Sequence, residues 1–194
     1  MKNPYPATPV YKLPRHIESD PSFTKILSLL QSRTRKLQDG SKLNVSLVGL
    51  TDALTNALLT AYRSGHVIRG LEAAAEKLDH ERSGLLKLKQ RVAQGERISR
   101  LVLMSNDGSK RFYREADRLL EKHFPRVLGW VVDLDSSNLG SLLFGPENSA
   151  KIILINHKEA VSQILLALIK DSNVSLAERA PNSNMEDLTD ERDK

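Results

Sequence analysis

Ser105-Asn106-Asp107-Gly108 closes the apolar run Arg100-Leu101-Val102-Leu103-Met104. It sets a hydroxyl, a carboxamide and a carboxylate where α/β enzymes place reacting groups, at the C-terminal end of a strand. The same residues make a turn that caps the helix behind them, and that reading needs no substrate. A hydrolase using Asp107 or Asp135 is therefore a class to weigh, but no further catalytic constellation supports it. Gly145-Pro146-Glu147-Asn148-Ser149-Ala150-Lys151 has the outline of a phosphate loop. It lacks the closing Gly-Lys-Ser/Thr and precedes a strand instead of a helix, so no nucleotide cofactor is expected. His16, His66, His80, His123 and His157 show neither His-x-x-x-His nor His-Glu-x-x-His spacing, and each is read as a surface or half-buried residue. With no cysteine in the chain, thiolate zinc sites and disulfides are excluded. No cofactor, metal or small-molecule substrate is expected.

The cations are the other candidates. Residues 1–100 carry a net charge of +8 and residues 101–194 a net of −3. Clusters such as Arg33, Arg35 and Lys36, or Lys87, Lys89 and Arg91, are what a phosphate backbone attracts, because each neutralised phosphate releases condensed counterions. The plainer alternative for any one cluster is a solvated helix face. Tyr113 could stack on a base, whereas Trp130 lies in an apolar strand and is assigned to the core. At 5% aromatic residues the chain is no single-strand stacking platform.

These groups must be positioned by an alternation of short apolar runs and amphipathic stretches. Pro4, Pro6, Pro9, Pro14 and Pro21 make residues 1–21 an irregular, extended arm, with no apolar run fit for a signal peptide. A helix is predicted over Ser22 to Gln38, with one apolar and one basic face, stopped at Asp39-Gly40. Leu43 to Leu50 reads either as a strand or as the lead-in to a helix. Thr51 or Asp52 caps a helix to Arg63; His66 to Arg69 is a strand; Gly70 opens a helix from Leu71 to about Arg82. Residues 83–98 form a polar, basic insertion with some helical character. Strand Leu101 to Met104, helix Ser109 to His123, strand Val127 to Val132, a short helix capped by Asp135, strand Ile152 to Ile155 and helix Lys158 to Ile169 complete the domain. Residues 171–194 hold seven acidic and three basic side chains and are expected to be a disordered tail. The organisation is thus an arm (1–21), a helix and connector (22–44), an α/β domain (45–170) and a tail. The fold class expected is α/β, a three-layer α/β/α sandwich with a small mixed sheet. No segment reaches the roughly 18 apolar residues of a membrane helix, so no membrane partner is expected.

The order of parts over about residues 50–170 resembles the kink-turn RNA-binding ribosomal-protein superfamily. The likeness rests on a strand ending in Gly70, a strand ending in Asn106-Asp107, and Ser137-Asn138-Leu139-Gly140 before the last strand and helix. The resemblance implies that Gly70 lets the backbone turn from strand into helix close to RNA, that Arg69, Gly70, Leu71, Glu72 and Lys77 lie near that turn, and that Leu134 to Gly140, with Ser137 and Asn138, form a second wall. The chain departs from the pattern in one respect. Where the family has Asn and Glu and then Lys or Arg after the glycine, this sequence has Glu72, Ala73 and Glu76.

Within the superfamily, the arm with Val10-Tyr11-Lys12, the helix ending in Leu29-Leu30-Gln31, the insertion and the acidic tail resemble the fungal protein subunit of ribonucleases P and MRP. That likeness implies a non-catalytic subunit that binds structured RNA and other protein subunits in a nuclear, nucleolar particle acting in tRNA and rRNA processing. Ribosome-assembly and small nucleolar particle proteins are related alternatives. A different class is a protein-interaction subunit without RNA contact, docking through the Ser22 to Gln38 helix. With Lys87, Lys89 and Arg91 added on charge grounds, the expected RNA-binding set is Arg69, Gly70, Glu72, Lys77, Lys87, Lys89, Arg91, Ser137 and Asn138.

Overall fold

The computed structural model describes residues 12–88 and 97–177, with side chains described to residue 87 in the first segment and 170 in the second. Its elements are α1 (Arg15–Glu18), α2 (Phe23–Ser32), β1 (Thr34–Arg35), β2 (Val45–Val48), α3 (Asp52–Arg63), β3 (Val67–Arg69), α4 (Leu71–Leu88), β4 (Arg100–Met104), α5 (Lys110–His123), β5 (Val127–Val132), α6 (Ser136–Phe144), β6 (Ile152–Ile155) and α7 (Lys158–Ala177). The six strands form one mixed sheet in the order β1-β2-β5-β4-β6-β3. β2, β5 and β4 run parallel, while β6 lies antiparallel to both β4 and β3. The fold is the expected three-layer α/β/α sandwich.

Every residue of β5 and of β6 is buried, as befits strands covered by helices on both faces. On one face Leu54 and Leu58 of α3, Leu139 of α6 and Val161 and Ile164 of α7 pack with Leu101, Leu103 and Trp130 of the sheet. On the other face Ala74 and Leu78 of α4 and Ala116 and Leu120 of α5 pack with Val102, Met104, Val131 and Leu154. Trp130 is fully buried, as its apolar strand implied.

Three helices start where their sequence asks. Thr51 accepts from the Leu54 N–H, Ser109 from Phe112 and Asp135 from Asn138, each satisfying an orphan donor of a first turn. Asp107 is therefore not the cap of α5, since Ser109 holds that place.

Other boundaries differ from the sequence reading. α2 ends at Ser32, not Gln38, because Arg33 turns extended and Thr34–Arg35 pair with Val45–Ser46 of β2; within Leu43 to Leu50, only Val45–Val48 are strand. The arm is not wholly irregular: α1 lies within it, and Leu13 and Ile17 are fully buried in the core. Gly84 does not stop α4, which runs through the first part of the expected insertion to Leu88; a single glycine in a long helix costs only about 1 kcal/mol relative to alanine. α7 continues to Ala177, past the expected end of the domain, and the rest of the acidic tail lies outside the described residues. His123 is buried, not a surface or half-buried residue, because it closes the last turn of α5 against Asp79 of α4. Tyr113 is buried too, its hydroxyl donating to the Ser105 carbonyl oxygen at 2.7 Å, so it is not a stacking surface for a base. Among the described residues no helix is long and apolar enough to cross a membrane.

Candidate nucleic-acid interface

β2, β5, β4 and β3 point the same way, so the loops after them share one edge of the sheet. That edge carries the Gly70 turn, the Ser105–Ser109 loop and the Asp133–Asn138 segment. The start of β6 brings the loop 145–151 to the same place.

Gly70 joins β3 to α4 at φ +99°, a region that side chains rarely adopt. Its N–H donates to the Ile152 carbonyl at 3.1 Å, while a Cβ on its Cα would meet nothing within 4 Å. The backbone here is thus anchored on one side and open on the other. Beside it, exposed Arg69 donates through Nη1 to Asn148 Oδ1 at 3.0 Å, with its Cζ 5.1 Å from the centroid of the Phe144 ring. Tyr62, itself exposed, meets Phe144 edge-on at 5.3 Å. Asn148 is fixed in turn, its amide donating to the carbonyl oxygens of Phe144 and Gly145 at 2.9 and 3.2 Å.

The second wall is tied to the first through the same loop. Ala150 N–H donates to the Ser136 carbonyl at 2.7 Å. A Cβ on Gly140 would fall against the Asn148 carbonyl oxygen and 2.5 Å from the Ser149 Cα, so the loop lies flat on α6 only because residue 140 is glycine. Asp107 completes the clamp: Oδ1 accepts from Ser105 Oγ at 2.6 Å and from the Ser136 N–H at 3.0 Å, and Oδ2 from Ser136 Oγ at 2.7 Å. Those hydrogen bonds, the Ser105 hydroxyl first, hold its carboxyl below the ordinary carboxylate value against the opposing effect of burial. The Asp107 bonds to Ser136 join the turn after β4 to α6, so the Ser105-Asn106-Asp107 turn is a structural tie.

Of the expected contact residues, the structure gathers Arg69, Gly70, Glu72, Ser137 and Asn138 at this edge. Ser137 and Asn138 are exposed on the first turn of α6, but the Asn138 amide already donates to Asp135 Oδ2 at 2.8 Å. Lys77 stands about 10 Å down α4 from Gly70. It lies 3.7 Å from Glu81, which also pairs with Arg100 at 2.9 Å. Lys87 is exposed but roughly 25 Å along the helix from the turn, so it does not join the edge. Lys89 and Arg91 lie outside the described residues. Sequence reasoning missed Asn148, Phe144 and Tyr62. The signal for Asn148 was present in Gly145-Pro146-Glu147-Asn148, a turn whose outline suggested phosphate and whose side chain instead braces Arg69.

No family model and no curated protein matches the chain. Among solved structures, a protein of unknown function from Bacillus halodurans C matches 62% of this chain and 100% of its own length, with TM-score 0.44 and 12% identity. The Giardia lamblia 15.5kD RNA binding protein matches 63% of this chain and 86% of its own length, with TM-score 0.42 and 11% identity. Both likenesses are distant.

Proposed function

We propose that this chain is a non-catalytic RNA-binding subunit of a ribonucleoprotein, with the ribonuclease P/MRP particle of the nucleolus and its work on tRNA and rRNA precursors as the setting. The observation that carries the reading is the Gly70 turn. An anchored strand-to-helix junction with a positive φ leaves open space where a side chain would stand, beside an exposed, braced arginine. Such a junction suits close approach of a phosphate-bearing backbone, because helix-start N–H groups have no intrahelical partner and favour negative charge. Glu72 and Glu76, exposed on the first two turns of α4, repel phosphate there and leave that contact to Arg69 and Lys77.

The rival reading, docking through the Ser22 to Gln38 helix, loses its surface. Ile26 and Leu30 of α2 are already buried in the chain's own core, packed with residues of α7. The test is binding of a structured RNA across a salt series with the parent, Gly70→Val and Arg69→Ala. The proposal expects affinity to fall with salt and both variants to bind more weakly than the parent at every salt concentration. Binding unchanged in both folded variants would remove this face from any RNA role.

A further inference from the structure

At the opposite end of the same sheet edge, a cleft of about 180 Å³ opens where β1 meets the C-terminal ends of β2 and β5. Leu47 and Val131 give it apolar lining, Arg33 and Arg35 stand on the β1 side, and Asn106 and Asp133 come from the loops after β4 and β5. Two residues apart, the arginines project to the same side of their strand.

Arg35 is held in place. Its Cζ lies 4.6 Å from the centroid of the Tyr113 ring, and that ring is fixed by the hydrogen bonds of its hydroxyl to Ser105 and Gly108. Yet its Nε and Nη2 are buried without a hydrogen-bond partner. Those two atoms are closed off from solvent, so the guanidinium donors that a ligand in the cleft would meet are the accessible part of Arg35 and exposed Arg33. Across the cleft, Asp133 Oδ1 accepts from Asn106 Nδ2 at 3.2 Å, which leaves its Oδ2 to receive a donor.

A ligand matching this pattern has an acceptor edge toward the arginines, a donor edge toward Asp133 and apolar faces between. A bare phosphate fails because Asp133 repels it. Guanine fits: O6 and N7 are the acceptors that arginine reads, and the N1–H and N2–H₂ donors of its Watson–Crick edge suit a carboxylate. Adenine would turn its N6–H₂ donor toward the guanidinium. The volume lies below the roughly 300 Å³ at which pockets for drug-sized ligands begin, which matches a single base. We propose that this cleft binds one unpaired guanine. It does not rest on the Gly70 reading, since β1 and β3 are opposite edge strands about 24 Å apart at ~4.8 Å per strand.

The test uses the full chain, titrated calorimetrically with guanosine and adenosine 5′-monophosphates, and with a short single-stranded uridine oligomer carrying one central guanosine or one adenosine. The guanine member of a pair should bind roughly tenfold more tightly or better. Asp133→Asn, an exposed near-isosteric change checked for folding by circular dichroism, should remove most of that preference. Arg33→Ala should weaken binding of guanine ligands. Preference in the nucleotide arm only assigns the cleft to free nucleotides, and preference in the oligomer arm only assigns it to an RNA strand; either supports a guanine site. Equal affinity for guanine and adenine in both arms, or a preference that both variants leave intact, overturns the proposal. Gly70→Val is run alongside. It should leave the guanine preference untouched, so failure at one end of the edge is told apart from failure at the other.

Discussion

Gly70→Val separates folding from recognition, because the structure fixes the two costs independently. At φ +99° any side chain is strained, by about 1–3 kcal/mol, and this cost is shared by alanine and valine. Nothing lies within 4 Å of the added Cβ, so no clash adds to it. For a chain of this size about 2–4 °C of Tm accompanies each kcal/mol, which gives a fall of roughly 2–12 °C with a cooperative transition retained. On the proposed RNA-binding role, the same substitution carries a second cost. The space that is empty in the free protein is where a phosphate or ribose would pass, and a branched side chain there should weaken binding about tenfold or more, as for a lost base contact. Alanine should lose less affinity than valine while losing similar stability. The assay pairs thermal unfolding with RNA titration of both variants. If valine lowers Tm yet leaves affinity at the parent value, the turn does not face RNA.

Three further outcomes follow from the same edge and from the helix pair behind it. Gly140→Ala should cost roughly 1–3 kcal/mol by thermal unfolding, since the new methyl meets loop backbone rather than a flexible side chain. Asp107→Ala should cost about 2 kcal/mol, a figure reduced for its solvent exposure. Because the carboxyl is depressed in the folded state, the stability it contributes is present above its ordinary value of 3.8 and is lost as pH falls through the lower folded value, so the variant should flatten that acid limb of the unfolding profile. His123 acts in a milder window. Burial, helped by Lys122 and Arg82, lowers its pKa below 6.5 against the pull of Asp79 3.2 Å away. The unfolded chain therefore takes up the proton first, stability declines as pH drops below about 6.5, and His123→Gln should lessen that decline.

The sheet and most helices were legible because their signals are local. Val127–Val132 and Ile152–Ile155 are apolar runs of strand length, and Thr51 and Asp135 cap the helices they precede. The misplaced end of α2 has a tertiary cause. Leu37, read as part of the helical stripe, instead packs on the α4–α5 face after the chain has reversed through β1, a pairing no local period announces. The candidate site was half legible. Gly70 stands out as a glycine between strand and helix patterns, but Arg69 reaches Asn148 across 79 positions, a contact that only the juxtaposition of β3 and β6 creates. Asp107 shows the converse case: its residue type suggested a local cap or chemistry, and its partner Ser136 is the first residue of α6, 29 positions away.

The basic excess of the first half does not make a uniformly basic face. Along the edge, Arg33 and Arg35 stand at one end and Arg69 at the other, with Asp107, Asp133 and Asp135 on the loops between and Glu72 beside the turn. A long phosphate backbone laid across this row would meet carboxylates at every step, so non-specific electrostatic binding is disfavoured and the proposed RNA recognition would come from a few local contacts. The salt dependence measures how few. If Arg69 and Lys77 are the phosphate contacts of the turn, log K should fall against log salt with a slope near about −2 on duplex RNA. If the stretch from Lys87 to Arg91 also grips the RNA, its three cations add their share and the slope steepens to roughly −4 to −5. Replacing those three by alanine then reduces the slope by about 3, whereas a contact limited to the turn leaves it where it was. A parent slope much steeper than about −5 would need more cations than the turn and this stretch together supply, and would overturn the local-contact account.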